Sequence, residues 1–409
     1  MSLSHSPKVV TDGLVFYYDM GNTQKSWKGA PTTNLCLNNG FYSNWANSGA
    51  GTWTSDDTSL ARIYPDCPIL SLLVTTAGNL HVSCARSTIA AGQTYTVSVY
   101  LYIPSSAGIL AGTAPYIRTD PANAGRGALV FNGTSDWNIW PRDSWFRATQ
   151  TFVNTANDTA VYISCYLDTL DNKIYMTAPV VENIGFMTPF MGGAGSTRSN
   201  TQALVDLTGN NTLTTTSLSY ASDNTFSFNG TSDRITEAVT NLPTANDKTI
   251  LCWVWPDSTG PSNQYTGLVV YGGRSSSTPS DAIALSLYTS GTTMYVSSAC
   301  WSNDYTPNNL SVTANSWNLV GVIARSAPTT NNITLVCGNS SGVNYVTGSS
   351  SDYTRGLLTT NVNLTIGCLD AAGGRYMKGK IPQVMIYDKE LTVTEITQIF
   401  NAHRGRYGI

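Results

Sequence analysis

The stretch that decides the fold is Asn363–Ile409, N-L-T-I-G-C-L-D-A-A-G-G-R-Y-M-K-G-K-I-P-Q-V-M-I-Y-D-K-E-L-T-V-T-E-I-T-Q-I-F-N-A-H-R-G-R-Y-G-I. Leu364, Ile366 and Cys368 alternate with Thr365 and Gly367, the period of a strand. A turn is expected at Gly373-Gly374. In the next run Val384 and Ile386 share one face and Met385 and Tyr387 the other. Both faces are apolar, so this strand should be covered on both sides. Pro382 has no N–H to give a ladder, which places it at a strand start or on a sheet edge. Thr392 followed by Glu395 is a capping box: the hydroxyl accepts from a first-turn N–H and the carboxylate reaches back. It predicts a helix with Val393, Ile396, Ile399 and Phe400 at helical spacing, ended by Gly405.

Working outward, the same grammar recurs. Residues 9–29 read as a strand followed by a Gly-Asn turn. F-S-F-N-G-T-S-D-R-I (226–235) reads as a hairpin, with Asn229-Gly230 suited to a type I′ turn. T-I-L-C-W-V-W-P-D (249–257) reads as a central strand, and 315–324 pairs with 332–339. Earlier, Tyr95–Tyr102, Trp145–Val153 and Ala160–Leu167 largely alternate. The hexapeptide F-N-G-T-S-D occurs at 131–136 and again at 228–233, and is expected to form similar turns.

Composition agrees with an all-β chain. Thr, Tyr and Val abound and helical runs are scarce. Of 409 residues, 41% are hydrophobic, which argues for a packed core, and only 11% are charged. A net charge of −3 without a basic run argues against nucleic acid as a partner. Low charge density leaves little barrier to self-association, so a homo-oligomer is expected. No apolar stretch approaches the roughly 18 residues of a membrane span, and the start lacks a signal-peptide core. Folding in a cytosol, without a membrane partner, is the expectation. Cys84, Cys165, Cys252, Cys337 and Cys368 sit in strand-like runs as small hydrophobes. No C-x-x-C pair exists to suggest zinc, and the expected compartment disfavours disulfides without excluding them.

The segments I-G, R-Y-M-K-G-K-I, V-M-I-Y-D-K-E-L-T, E-I and F-N of the closing stretch resemble the last strands and terminal helix of laminin-G-like (concanavalin-A-like) sandwich domains. The ending Gly405-Arg406-Tyr407-Gly408 is similar to that of such domains in tailed-phage virion proteins. D-G-L-V-F-Y-Y-D-M-G-N (12–22) resembles their first strand. The D-L-(S/T)-G-N continuation that should follow stands instead at Asp206-Leu207-Thr208-Gly209-Asn210-Asn211. The resemblance therefore implies a domain plugged into an early loop, the tolerated place for an insertion. The insert opens with T-N-L-C-L-N-N-G-F and closes with P-V-V-E-N-I-G-F-M-T-P-F. Both ends resemble carbohydrate-binding-module-like jelly rolls.

The expected fold is all-β: two β-sandwich or jelly-roll domains, one inserted into the other, with a short C-terminal helix. Residues 1–30 and 195–409 would form the outer domain and 31–194 the insert, with a Gly/Ser linker after Met191. The resemblance implies a virion protein, assembled in the host cytoplasm as a tail-fibre, baseplate or capsid-surface component. Its partners would be other virion proteins and host-surface polysaccharide.

Candidate chemistry is sparse. Glycoside hydrolysis usually needs two carboxylates across a cleft. The chain has four Glu: Glu182, Glu237, Glu390 and Glu395, the last taken by the helix cap. Its three His, His5, His81 and His403, accompany no nucleophile elbow. The expectation is no enzyme and no catalytic residue, with a cement protein or a polysaccharide hydrolase as alternatives. No cofactor is required. Calcium is the metal that Asp206 with Asn210, or Asp370, could hold, against the simpler reading of an Asx turn. Sugar binding needs aromatic faces with polar partners. Trp137, Asn138 and Trp140 in W-N-I-W, and Trp301, Asp304 and Tyr305 in W-S-N-D-Y, are the candidates, with subunit contact an equal alternative for the Trp. Trp45 and Trp53 bracket a Gly/Asn loop. Trp145, Trp253 and Trp317 lie in strand-like runs and are expected in the core.

Overall fold

The computed structural model describes residues 9–36, 51–54, 56–74, 78–85, 89–107, 112–120, 124–167, 173–221, 225–238, 242–244, 247–257, 264–272, 282–299, 304–326, 330–349, 363–370 and 374–409. The chain divides into two compact units. Met1–Ala30, Asn200–Ala221 and Thr225–Ile409 belong to unit one, and Pro31–Ser199 to unit two.

Unit one is a β-sandwich. Its central strand, Lys248–Pro256, is apolar at nearly every position because both faces are covered. Ile250, Cys252 and Val254 join the core between the two sheets, while Leu251 and Trp253 pack beneath the terminal helix, Val393–His403. The closing strand, Lys378–Tyr387, lies beside it with the expected division: Val384 and Ile386 face the inter-sheet core, Met385 and Tyr387 the helix. Asn318–Ala324, Ile333–Asn339 and Gly342–Gly348 extend this sheet on one side. The facing sheet is ordered Ile235–Ala238, Asn363–Ile366, Gln264–Gly272, Ala282–Ser290, Thr293–Ser297, Ser311–Val312.

The helix starts as expected. Thr392 Oγ1 accepts from Glu395 N–H, and the Glu395 carboxylate accepts from Thr392 N–H. Its end differs. The helix stops at His403, a 3-10 turn spans Arg404–Tyr407, and the left-handed residue is Gly408, not Gly405. Ile396, Ile399 and Phe400 are buried. Trp253 stacks on Phe400 (5.7 Å between centroids) and on Tyr407 (4.3 Å).

Three other local expectations are corrected. Pro382 lies inside the closing strand, not on an edge. It lies in a bulge of the closing strand itself, where Ile381 and Pro382 together stand opposite Val254, so its missing N–H breaks no regular ladder. Phe226–Asn229 and Ile235–Ala238 do not form a hairpin, because they belong to different sheets. Asn229 instead caps its own turn, Oδ1 accepting from the N–H groups of Thr231, Ser232 and Asp233. The earlier copy of the hexapeptide makes the two-residue turn: Phe131 and Thr134 exchange both backbone hydrogen bonds, with φ of 48° at Asn132 and 80° at Gly133. The turn expected at Gly373-Gly374 lies partly outside the described residues.

The opening strand, Leu14–Asp19, pairs antiparallel with the closing strand, Leu14 opposite Tyr387 and Asp19 opposite Gln383. The two sides of the insertion meet within unit one: Val205 N–H donates to Ser26 O and Lys28 N–H to Ala203 O, each at 2.9 Å. A polar network locks the opening strand to the C-terminus. Arg406 pairs with Asp19 at 2.9 Å, and Tyr17 OH donates to the same carboxylate at 3.1 Å. Gln383 Nε2 donates to Tyr17 OH (2.8 Å) and meets His403 Nε2 (2.9 Å), while His403 Nδ1 lies 3.0 Å from Ile399 O. The carbonyl only accepts, so Nδ1 carries the proton and Nε2 accepts from Gln383.

Unit two is a second sandwich. One sheet is ordered Gly51–Thr54, Leu70–Val74, Lys173–Glu182, Thr94–Tyr102, Trp145–Val153, and the other Gly78–Ala85, Ala160–Leu167, Gly112–Asp120, Ala124–Ala128. Leu72, Val97, Val99, Phe146 and Met176 from the first sheet pack with Ile117, Val161 and Ile163 from the second. The stretch expected as a linker carries structure: Thr197–Arg198 pairs with Thr32–Thr33, and Asn34 exchanges backbone hydrogen bonds with Gly195 and Ser196. Across both units, Cys36, Cys67, Cys252, Cys337 and Cys368 are buried.

Two outcomes are expected. Trp253→Ala should cost unit one about 3–5 kcal/mol, read from denaturant unfolding, because it empties the space between strand and helix. His403 titrates below its ordinary value because burial, and then the Arg406 charge, disfavour the imidazolium. The unfolded chain therefore binds more protons between that lowered value and about 6.5. Stability should fall as pH drops through this window, and His403→Gln should flatten the slope.

Candidate functional site

The outer face of unit two's five-stranded sheet follows from strand parity. In Thr94–Tyr102, Tyr95, Val97, Val99 and Leu101 point into the core, so Thr96, Ser98, Tyr100 and Tyr102 share the other face. In Trp145–Val153 the core takes Phe146, Ala148 and Phe152, leaving Trp145, Arg147, Thr149 and Thr151 outside. In Lys173–Glu182 the core takes Ile174 and Met176, leaving Lys173, Tyr175 and Thr177.

Register then brings the aromatic residues into one row. Tyr175 is opposite Tyr102, and Tyr102 is opposite Trp145. Their ring centroids are 5.8 Å and 5.6 Å apart. Tyr102 and Trp145 are half-buried, and Tyr175 is 8% exposed. Lys173 Nζ sits 4.9 Å from the Tyr175 ring centre and pairs with Asp57 at 2.7 Å. Ser59 donates to Tyr175 OH at 3.3 Å.

One step along the strands lies a second aromatic group. Tyr64 packs on Phe190 (4.0 Å) and on Tyr100 (5.4 Å), and the two tyrosine hydroxyls are 2.9 Å apart. Arg147 lies against Tyr100, 5.6 Å from its centroid. Its Nη2 donates to Ser98 Oγ (2.8 Å) and its Nη1 to Thr188 O (2.5 Å), while the buried Nε has no hydrogen-bond partner among the described residues. Behind it, Glu182 is fully buried and accepts from Thr188 N–H and Oγ1. Burial pushes the Glu182 carboxyl up against the pull of Thr188 and Arg147, and pushes Arg198 down to about 10. These charges lie on the same face of the sheet as the aromatic groups, one step along the strands from the row.

The residues nominated from sequence fall elsewhere. Trp137 and Trp140 are not exposed platforms: they are 3% and 2% exposed and belong to unit two's core. An Asx turn, with Asp136 Oδ1 accepting from Asn138 N–H, sets their spacing of three so that both indoles point inward. Trp140 Nε1 donates to Thr134 O. Asn138 and Ile139 are left outside. Trp145, expected in the core, is on the outer face. In unit one, Tyr305 bridges to Ser298 and packs partly buried against the core, while Asp304 is exposed. Trp301 and Trp45 lie outside the described residues, as do the side chains of Trp53 and Asp370.

The Asp206 loop does not fit calcium. Asp206 is 1% exposed, and its carboxylate accepts from the N–H groups of Tyr17, Thr208 and Asn211, from Thr208 Oγ1 and from Asn211 Nδ2. Asn210 Nδ2 donates to Val15 O. The motif clamps the chain after the insertion to the opening strand. Among the described residues no group of three or more His, Cys, Asp or Glu is placed to hold a metal.

The opposite placements of two tryptophans give a direct check. Trp140→Ala should destabilise unit two by about 3–5 kcal/mol, whereas Trp145→Ala should cost well under half as much, both read from chemical unfolding.

Residues 228–397 match the family model described as the concanavalin A-like lectin/glucanases superfamily. No curated protein matches the chain in sequence. Among solved structures, the enzymatically active domain of bacteriophage CBA120 tailspike protein 2 is similar at 11% identity and a TM-score of 0.34, over 43% of this chain and 27% of that one. Domain 4 of a GH43 extracellular arabinanase from Geobacillus stearothermophilus gives 15% and 0.34, over 49% and 92%. The binding domain of botulinum neurotoxin serotype D gives 12% and 0.34, over 51% and 50%. The chain thus spans about a quarter of the tailspike structure's length. The residues matched by that model, 228–397, lie within the β-sandwich of unit one.

Proposed function

We propose that this chain is a non-enzymatic structural protein of a tailed-phage particle that binds host-surface glycan on the outer face of unit two's five-stranded sheet. The observation that carries the glycan reading is the Tyr175–Tyr102–Trp145 row. Ring faces pack against the C–H groups of a sugar, and the donors and acceptors around them satisfy its hydroxyls. Here the row is flanked by the Asp57–Lys173 pair and, one step along the strand from Trp145, by Arg147. Because the rings stand on paired strands, little ordering is needed on binding.

The non-enzymatic reading rests on the carboxylates near the row. Hydrolysis needs two that can address one glycosidic bond. Asp57 is engaged by Lys173 and by Ser59 N–H, and Glu182 is fully buried. Assignment to a virion as a fibre, baseplate or capsid-surface component rests on the resemblance of residues 12–22, 206–211 and the closing stretch. Weak single contacts would then gain strength from many copies.

The test is calorimetric titration of the full chain with host-surface polysaccharide. Trp145→Ala and Tyr102→Ala should each weaken binding about tenfold, about 1.4 kcal/mol, with folding intact. Unchanged affinity in both variants would remove the row from the account. Release of reducing ends by the unmodified protein would replace it with a hydrolase.

A further inference from the structure

One edge of the helix-covered sheet of unit one is open. Gly342–Gly348 is the last strand there and pairs with Ile333–Asn339 on one side alone. We infer that this edge is a self-association surface: a second copy of the chain adds its own Gly342–Gly348 antiparallel across a two-fold axis and continues the sheet. The inference is independent of the glycan reading and would stand if unit two bound nothing.

Ladder parity identifies the groups involved. Arg325 N–H donates to Asn332 O, and hydrogen-bonded pairs alternate along an antiparallel ladder. The even-numbered residues of Ile333–Asn339 therefore bond toward Asn318–Ala324, and the odd-numbered ones bond with Gly342, Asn344, Val346 and Gly348. That leaves the backbone N–H and C=O of Val343, Tyr345 and Thr347 pointing away from the sheet. Among the described residues none of these backbone groups meets a partner.

The other edges of unit one are guarded. Along Leu14–Asp19, Tyr17 N–H donates to Asp206, Tyr17 O accepts from Leu207 N–H, and Val15 O accepts from Thr208 and Asn210. The edge strands Ser219–Tyr220 and Ser311–Val312 have two residues each, and Ile235–Ala238 has four, one of them Glu237. Covered, short or charged edges keep a sheet from pairing with other chains. Gly342–Gly348 has none of these devices: it is seven residues long, its register is unbroken, and it carries no charge and no proline.

The same features select a second copy as the occupant. Across a two-fold axis a strand meets itself, so any charge near its centre would face its own like. Pairing centred on Tyr345 sets Tyr345 opposite Tyr345 of the second copy and Val343 opposite Thr347, with no charge anywhere along the contact. Each pair can exchange both outward backbone bonds. An apolar shoulder flanks the edge. Val343 and Tyr345 are half-buried on the helix side, Tyr345 OH donates to Val393 O at 3.4 Å, and Val393 is 58% exposed. Covering it adds hydrophobic drive to the backbone pairing. The net charge of −3 leaves little repulsion between copies.

The experiment is sedimentation equilibrium of the full chain over a concentration series. One strand pair is a small contact, so a monomer–dimer equilibrium in the micromolar range is expected. Thr347→Pro removes an outward N–H and no backbone bond within the chain. Tyr345→Lys sets like charges face to face on the axis. Each should weaken the dimer at least tenfold, with folding checked by circular dichroism, whereas Val153→Lys, at an exposed site in unit two, should leave it unchanged. Tyr345→Cys should crosslink copy to copy in an oxidising buffer, because paired Cα atoms would stand about 5.5 Å apart, within disulfide reach. The inference is overturned if the chain stays monomeric at high micromolar concentration, if the folded Thr347→Pro and Tyr345→Lys variants dimerise as tightly as the unmodified chain, or if the dimeric Tyr345→Cys variant does not crosslink.

Discussion

The structure of unit one depends on the pairing of Leu14–Asp19 with Lys378–Tyr387. These strands are nearly the whole chain apart in sequence, so their ladder closes a very long loop. Loop-closure entropy grows only slowly with length, which is why a whole second unit can interrupt the loop at modest cost. The interruption is held locally. Ser26 and Lys28 on one side pair with Ala203 and Val205 on the other, and Asp206 reaches the N–H of Tyr17 in the opening strand. The Asp19–Arg406 pair and the Tyr17–Gln383–His403 chain then tie that strand to the C-terminal turn. Each polar group in this network meets a partner of suitable kind, which is the condition under which a buried network supports a unique fold.

Much of this was legible in the sequence, and the reasons are local. The capping box at Thr392 and Glu395 and the two-faced apolar pattern of residues 384–387 depend on neighbours within four residues, and both were read correctly. The pairing of the two ends of unit one is set by long-range register, which no neighbour within either strand specifies. What misled was chemistry with more than one geometric solution. Asn-Gly suits a tight hairpin, yet at 229–230 the chain crosses between sheets while Asn229 caps the turn. Pro382 suits an edge, yet a bulge in its own strand accommodates it inside the sheet.

The candidate site was legible only in part, and the tryptophans show why. Trp137 and Trp140 stand in a polar loop, which suggests exposure. Their spacing of three, set by the Asp136 turn, sends both indoles into the core. Trp145 begins an alternating strand in which its parity partners are Arg147, Thr149 and Thr151. That parity places it outside, and it could have been read. What no local reading supplies is the neighbourhood of Trp145, Tyr102 and Tyr175, because it arises from long-range register across three strands. In the same way, the five atoms that donate to the Asp206 carboxylate come from segments on both sides of the insertion.

The proposed glycan site is where rigidity and aromatic surface coincide. The row stands on paired strands, and Arg147 and Glu182 brace the sheet next to it through Ser98 and Thr188. The most direct measurement is a crystal structure of the full chain soaked with a host-surface oligosaccharide. The account predicts a sugar ring stacked over Trp145 and Tyr102, with its hydroxyls toward Lys173 and Asp57. A sugar bound at another face of unit two, with the row bare, would contradict it.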